Sequence, residues 1–153
     1  GQKQRWIMGQ ICAFFGHRDL FGYTKQISSE LKKILIDLIE NGVDTFYVGS
    51  YGEFDILSGR VLRELKETYP QIQVILILAY AKELNTSRCY FQDFYLPLEV
   101  EVAPKRACIV KRNQWVAREA DVIISFIKYP MGGAYNAVQY AQKKKKRIIE
   151  IQI

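Results

Sequence analysis

Short apolar runs alternate along this chain with segments whose apolar residues recur at a helical period, and this alternation limits the folds open to it. Met8 to Phe15 is nearly continuous in apolar residues, the pattern of a strand covered on both faces. From Thr24 the apolar residues fall at Ile27, Leu31, Ile34, Leu35, Leu38 and Ile39. That is one stripe of a helix, which Asn41-Gly42 would stop. Val43 to Val48 gives a second strand. A helix from about Asp55 then turns Leu57, Val61, Leu62, Leu65 and Tyr69 inward, with Pro70 just past its end. Ile72 to Ala79 reads as a third strand, Asp121 to Ile127 as a fourth, and Arg147 to Ile153 as the closing one. A helix over Arg106 to Ala120 would bury Ile109, Val116 and Ala120, and a last helix would bury Ala134, Ala137, Val138 and Ala141. Tyr80 to Lys105 has no clean period and contains Pro97 and Pro104, so an irregular excursion with short helical or extended pieces is expected there.

Strands alternating with helices at this spacing imply right-handed crossovers and a parallel sheet with helices on both faces. The expected fold is therefore α/β, a Rossmann-like three-layer domain with a mostly parallel sheet of about five strands. A chain of 153 residues can bury a substantial core. No repeat or low-complexity linker divides it, so residues 1–153 are expected to form one domain.

Composition narrows the function. No apolar stretch reaches the roughly 18 residues of a membrane span, and no signal peptide is visible. A cytoplasmic protein with no membrane association is expected. Cys12, Cys89 and Cys108 are odd in number and lack metal-ligand spacing, which favours reduced thiols and no metal site. Five of the 22 basic residues fall in Lys143 to Arg147, against 16 acidic residues in the whole chain. The net charge of +6 is thus largely one local run. Such a run suits a helix C-terminus, where the dipole favours cations, and also a polyanion contact.

Three strands lead into glycine-rich or polar turns: Gly16-His17-Arg18, Gly49-Ser50-Tyr51-Gly52 and, a few residues past the fourth strand, Gly132-Gly133. In an open α/β sheet, ligands collect outside the carboxyl ends of the strands. Paired glycines before a helix allow close backbone approach, and the helix N-terminus favours an anion. Gly132 and Gly133, continued by Ala134 and Asn136, are the candidate phosphate cradle, with Gly16, His17 and Arg18 beside it. Arg18 suits bidentate phosphate pairing, or an ion pair with Asp19 or Glu53. His17 is the single histidine and reads as a structural or ligand-contacting imidazole before a general base. Gly49, Ser50, Tyr51 and Gly52 form the second turn. Glu53 and Asp55 follow it, either capping the next helix or serving as carboxylates for ribose or for an oxocarbenium-like transition state. Arg112 and Asn113 are candidates to close over a base or ribose, with Trp115 nearby as core. Tyr51, Tyr80 and Tyr135 are candidate stacking rings. Walker A and G-x-G-x-x-G patterns are absent, so no cofactor is implied.

The order GHR, GSYGEFD, RNQW and GGAYNAVQYA resembles the SLOG superfamily, which joins the DNA-processing protein DprA with the cytokinin-activating "lonely guy" (LOG) enzymes. Within it the chain looks most like small bacterial proteins of the DUF1273/YpsA type. The resemblance runs from about Met8 to Ile153. It implies a Rossmann-like fold that binds a nucleotide or nucleotide-derived molecule at the glycine turns. The LOG motif P-G-G-x-G-T-x-x-E matches at Gly132 and Gly133. Tyr135, Asn136 and Gln139 stand where that motif has its next glycine, its threonine and its glutamate. A neutral amide cannot supply the charge of that glutamate. The leading expectation is therefore binding, by a sensor, sequestering or regulatory module whose partner is a nucleotide-derived small molecule. A nucleotide N-glycosidase using Glu53 is the alternative. DprA-like single-stranded nucleic-acid binding through Lys143 to Arg147 is a further one. Related domains often pair through helical faces, so a homo-oligomer is also open.

Overall fold

Alternate residues of the first strand serve opposite layers of the molecule, and this arrangement organises the fold. The computed structural model describes residues 9–83 and 93–153. Met8, expected to begin the first strand, and Cys89 lie outside the described residues. Strand β1 (Gln10–Gly16) sends Cys12 and Phe14 into one core, and Ile11, Ala13 and Phe15 into the other. Burial on both faces is what its unbroken apolar run encodes.

The first core is closed by helices α1 (Thr24–Glu40) and α2 (Glu53–Thr68). Ile27, Leu31, Leu35, Leu38 and Ile39 of α1 are buried, as are Leu57, Val61, Leu62 and Leu65 of α2. Ile34 and Tyr69 pack against this core from partly exposed positions. The second core is closed by α4 (Cys108–Glu119) and α5 (Gly133–Lys143), which contribute Trp115, Val116, Ala117, Ala137, Val138 and Ala141. Trp115 stacks on Tyr47 at 5.5 Å between centroids and belongs to this core, as expected.

Between the layers runs one sheet in the order β4-β3-β2-β1-β5-β6, every pairing parallel. Its other strands are β2 (Val43–Val48), β3 (Gln73–Ile77), β4 (Asp93–Tyr95), β5 (Val122–Phe126) and β6 (Arg147–Glu150). The architecture is the expected Rossmann-like three-layer α/β fold. It has six strands, where about five were expected. The extra strand, β4, comes from the Tyr80 to Lys105 excursion. It is three residues long and exposed throughout, so no apolar run announces it. The rest of that excursion, where described, holds the 3₁₀ turns Ala81–Glu83 and Lys105–Ala107 and the single helical turn α3 (Leu98–Glu101).

From β1 the chain winds one way through β2 and β3, then returns across the other face to place β5 on the opposite side of β1. The strand order therefore reverses between β1 and β5, where Gly16 pairs with Phe126 at their carboxyl ends. The turns that leave these two strands diverge and open a crevice.

Candidate functional site

A cleft of about 410 Å³ occupies that crevice. The β1 turn supplies Gly16, His17 and Arg18; the β5–α5 turn supplies Tyr129, Met131, Gly132, Gly133 and Ala134; Tyr51 and Asp55 line a third side. Helix α4 closes it with Ile109, Arg112 and Asn113.

At the start of α5, Gly132 and Gly133 are exposed where they line this cleft. Gly132 precedes the helix with φ +100° and ψ 172°, a region essentially limited to glycine. The first helical bond is Asn136 N–H to the Gly132 carbonyl at 3.0 Å. The amides of Gly133, Ala134 and Tyr135 thus come before any intrahelical partner. No side chain caps them and the first turn carries no acid. A β-carbon at Gly132 or Gly133 would meet nothing within 4 Å among the described residues. The helix dipole makes this opening electropositive.

The turn after β2 is built from similar residues and is full. Gly52 begins α2 with φ +130° and ψ 178°, but a β-carbon there would lie 2.7 Å from the Arg18 Cα. The Glu53 N–H donates to the Arg18 carbonyl at 2.9 Å, and Glu53 Oε2 accepts the Leu20 N–H at 2.7 Å. Glu53 therefore ties the β1 turn to α2 and does not line the cleft. Capping was one expectation for Glu53 and Asp55, but Gly52 is the cap residue and no side chain bonds there.

Asp55 does reach the cleft. Its Oδ2 accepts the Tyr51 N–H at 3.2 Å. Burial pushes its carboxyl pKa up, the neighbouring Arg112 guanidinium and the Tyr51 N–H pull it down, and Glu83 adds to the rise. Gly49 makes room for this pair, since a β-carbon there would meet Asp55 Oδ2 at 2.7 Å and Arg112 Nη2 at 2.9 Å.

Arg112 is only 3% exposed and works as a bolt. Its Nε donates to the Ile77 carbonyl at 3.0 Å and its Nη2 to the Val48 carbonyl at 3.1 Å, joining the carboxyl ends of β3 and β2. Its Nη1 donates to Asn113 Oδ1 at 3.0 Å. Burial lowers its pKa, opposed by Asp55, Tyr51 and Glu83.

Glu83, which the sequence reading passed over, completes this wall. Its Oε1 accepts the N–H groups of Ala79 and Tyr80, each at 2.7 Å, and the Tyr51 hydroxyl. Its Oε2 accepts the Ser50 hydroxyl at 3.0 Å. An acid just beyond the third strand, at the same edge as the other turns, was the available signal. Burial, followed by the Glu83 hydrogen bond and charge, pushes the Tyr51 phenol well up, so it stays a neutral donor.

His17 is buried and faces the β5–α5 turn. Its Nε2 accepts the Lys128 N–H at 2.9 Å and the Tyr129 N–H at 3.4 Å, and its ring lies parallel to Tyr129 at 4.0 Å. Burial lowers its pKa. A neutral imidazole holding two backbone donors anchors the turn. Gly16 also has a packing reason, because its β-carbon would sit 2.3 Å from the Phe54 ring.

Ten of the sequence candidates converge on the cleft: Gly16, His17, Arg18, Tyr51, Asp55, Arg112, Asn113, Gly132, Gly133 and Ala134. Gly49, Ser50, Gly52, Glu53 and Asn136 do not line it, nor do Tyr80 and Tyr135. Phe15, Ile109, Tyr129 and Met131 line it without having been named as ligand-binding candidates, and Ile109, expected in the core, is only partly buried.

The basic run lies elsewhere. Lys143 ends α5, whose 11 residues span about 16 Å from the cleft end to the opposite end. Lys146 Nζ there donates to the Arg118 carbonyl at 2.7 Å, meeting the C-terminal carbonyls of α4. Among the described residues, no group of three or more His, Cys, Asp or Glu is placed to hold a metal ion, and no helix is long and apolar enough to cross a membrane. Cys12 and Cys108 are buried free thiols.

Fold and cleft together define a doubly wound α/β domain with an open helix N-terminus at its topological switch point. In fold the chain is similar to DNA processing protein A (DprA) from Streptococcus pneumoniae, with a TM-score of 0.69 at 16% identity over 95% of this chain and 51% of that one. It is likewise similar to DprA from Helicobacter pylori, described for its single-stranded DNA binding mode, with a TM-score of 0.66 at 18% identity over 95% and 66%. The chain thus spans about half the length of the first and about two thirds of the second. No family model matches the sequence, and no curated protein matches it. What the likeness establishes is a shared fold, that of the Rossmann-like DprA domain.

Proposed function

We propose that residues 1–153 form one nucleotide-binding domain of SLOG type, related to the small YpsA-type proteins, that holds a nucleotide or nucleotide-derived molecule in the β1/β5 cleft. The observation that carries this is the open start of α5. The Gly133 and Ala134 amides, open space among the described residues where β-carbons would stand, and the positive end of a helix adjoin a cleft of nucleotide size, which supports a phosphate there. The phosphate rests on Gly133, Ala134 and Tyr135, with Arg18 beside it. The Asp55 carboxyl and Asn113 meet the sugar. Thermal-shift screening with nucleoside monophosphates and diphosphates, ADP-ribose and cyclic nucleotides is expected to find stabilising ligands. No shift from any of them would refute the proposal.

A second reading, single-stranded DNA binding, is favoured by the likeness to the H. pylori protein. In that case the strand's phosphate occupies the same amides. The basic run, a helix length away, then adds only salt-dependent affinity. Anisotropy of a labelled oligonucleotide across salt concentrations separates the two. Tight, salt-steep binding that beats mononucleotides supports the strand.

The N-glycosidase alternative finds less support at Glu53, whose carboxylate accepts the Leu20 N–H and does not line the cleft. Asp55 is the carboxyl group in the cleft. Release of free base that survives Asp55→Asn would exclude it as the essential acid.

A further inference from the structure

We infer that Tyr129 is a stacking platform for a nucleobase, so that the cleft selects nucleotides over plain sugar phosphates; this rests on the phosphate placement proposed above. Tyr129 is one of the few large aromatic residues left exposed among the described residues, at 41%, and it lines the cleft beside the glycine pair. One face of its ring is covered by the His17 imidazole, at 4.0 Å and 7° from parallel. His17 also holds the Tyr129 backbone through Nε2, so ring and main chain are fixed together. A pre-set ring loses little freedom on binding a partner.

Phe21 supports this from the side. Its ring meets Tyr129 edge-on at 5.9 Å and 76°, yet stays 42% exposed. Its backbone has φ +54°, a left-handed conformation that is uncommon for a bulky residue. Asp19 Oδ1 holds it there by accepting the Phe21 N–H at 2.7 Å, while Glu53 holds the preceding Leu20 N–H. Strain at Phe21 and an exposed apolar ring both work against folding. Such features gather at ligand clamps, and here they stand against Tyr129, a residue that lines the cleft. A base has a π-face whatever its identity, and stacking on an aromatic ring is tolerant of sequence. A phosphate on the α5 amides with a base on Tyr129 fits a nucleotide unit, free or within a strand. Ribose phosphate lacks the part that Tyr129 would recognise.

Calorimetry on the full chain with AMP, ribose 5-phosphate and a short oligodeoxyadenylate tests this. AMP is expected to bind about tenfold or more tightly than ribose 5-phosphate. Tyr129→Leu should erase that difference by weakening AMP alone, and Tyr129→Phe should preserve it. The unchanged affinity for ribose 5-phosphate reports that the Leu variant is folded. The oligonucleotide arm shows whether the base is presented by a free nucleotide or by a strand, and Tyr129→Leu should weaken whichever binds. Equal affinities for AMP and ribose 5-phosphate in the unaltered protein would overturn the stacking role while leaving the phosphate site standing. Equal loss of both ligands in Tyr129→Leu would also overturn it. Binding of none of the three would overturn the phosphate placement and the inference with it.

Discussion

Helices α2 and α5 begin alike and are used differently. Each is preceded by a glycine of positive φ, Gly52 at +130° and Gly132 at +100°, both with extended ψ and neither with a capping side chain. At α2 the space is taken: the Arg18 backbone abuts Gly52, Glu53 clamps the neighbouring turn, and two acids sit in the first turn. At α5, among the described residues, nothing would lie within 4 Å of a β-carbon at Gly132 or Gly133, and the first turn holds no acid. The same local conformation thus closes the fold in one place and leaves an anion site in the other. Glycine there answers two different demands, one from the protein's own packing and one from a guest.

That contrast can be broken by stability measurements. The largest loss is expected at the wall behind the filled turn. Arg112→Ala would take the Arg112 donors from the Val48 and Ile77 carbonyls and the guanidinium charge from beside the Asp55 carboxyl, a cost of about 3–5 kcal/mol. Gly52→Ala combines a disfavoured φ with a collision against backbone and should cost about 4 kcal/mol. Gly132→Ala has only the φ penalty, about 2 kcal/mol. Gly133→Ala has neither, and should be neutral or slightly stabilising by roughly 0.5 kcal/mol. Urea unfolding of the three glycine variants should follow that order. A Gly133→Ala loss as large as that of Gly52→Ala would mean that α5 is packed like α2.

A smaller effect concerns the imidazole that joins the two glycine regions. Burial holds the His17 pKa below its ordinary value of 6.5, so the unfolded chain takes up a proton before the folded one does. The neutral ring's contribution is then complete above about pH 6.5 and is lost as pH falls from there through the folded pKa. Stability should decline over that window, and less so in His17→Asn. An unchanged decline in the variant would assign it to other groups.

Much of the architecture was legible because parallel strands buried on both faces leave continuous apolar runs, as in β1 and β5. Strand β4 was not, since Asp93, Phe94 and Tyr95 are exposed and pair along one edge only. The cleft was legible as a set of turns at one sheet edge. What residue type could not convey was the use of each residue. Gly16 and Gly49 accommodate Phe54 and the Asp55–Arg112 pair, and Glu53 serves a backbone amide. Glu83 organises two turns from a segment without periodicity. Such roles are set by contacts distant in sequence, which neither spacing nor propensity records.

The most direct test is titration of AMP into the unaltered protein and into Gly133→Asp, with thermal melts of both. An aspartate at the first position of α5 suits the helix dipole and has room for its β-carbon, so the melting temperature should be unchanged or higher. It also puts a negative charge where the phosphate would rest, so affinity should fall roughly a hundredfold. Equal AMP affinity in the folded variant would show that α5 does not hold the phosphate.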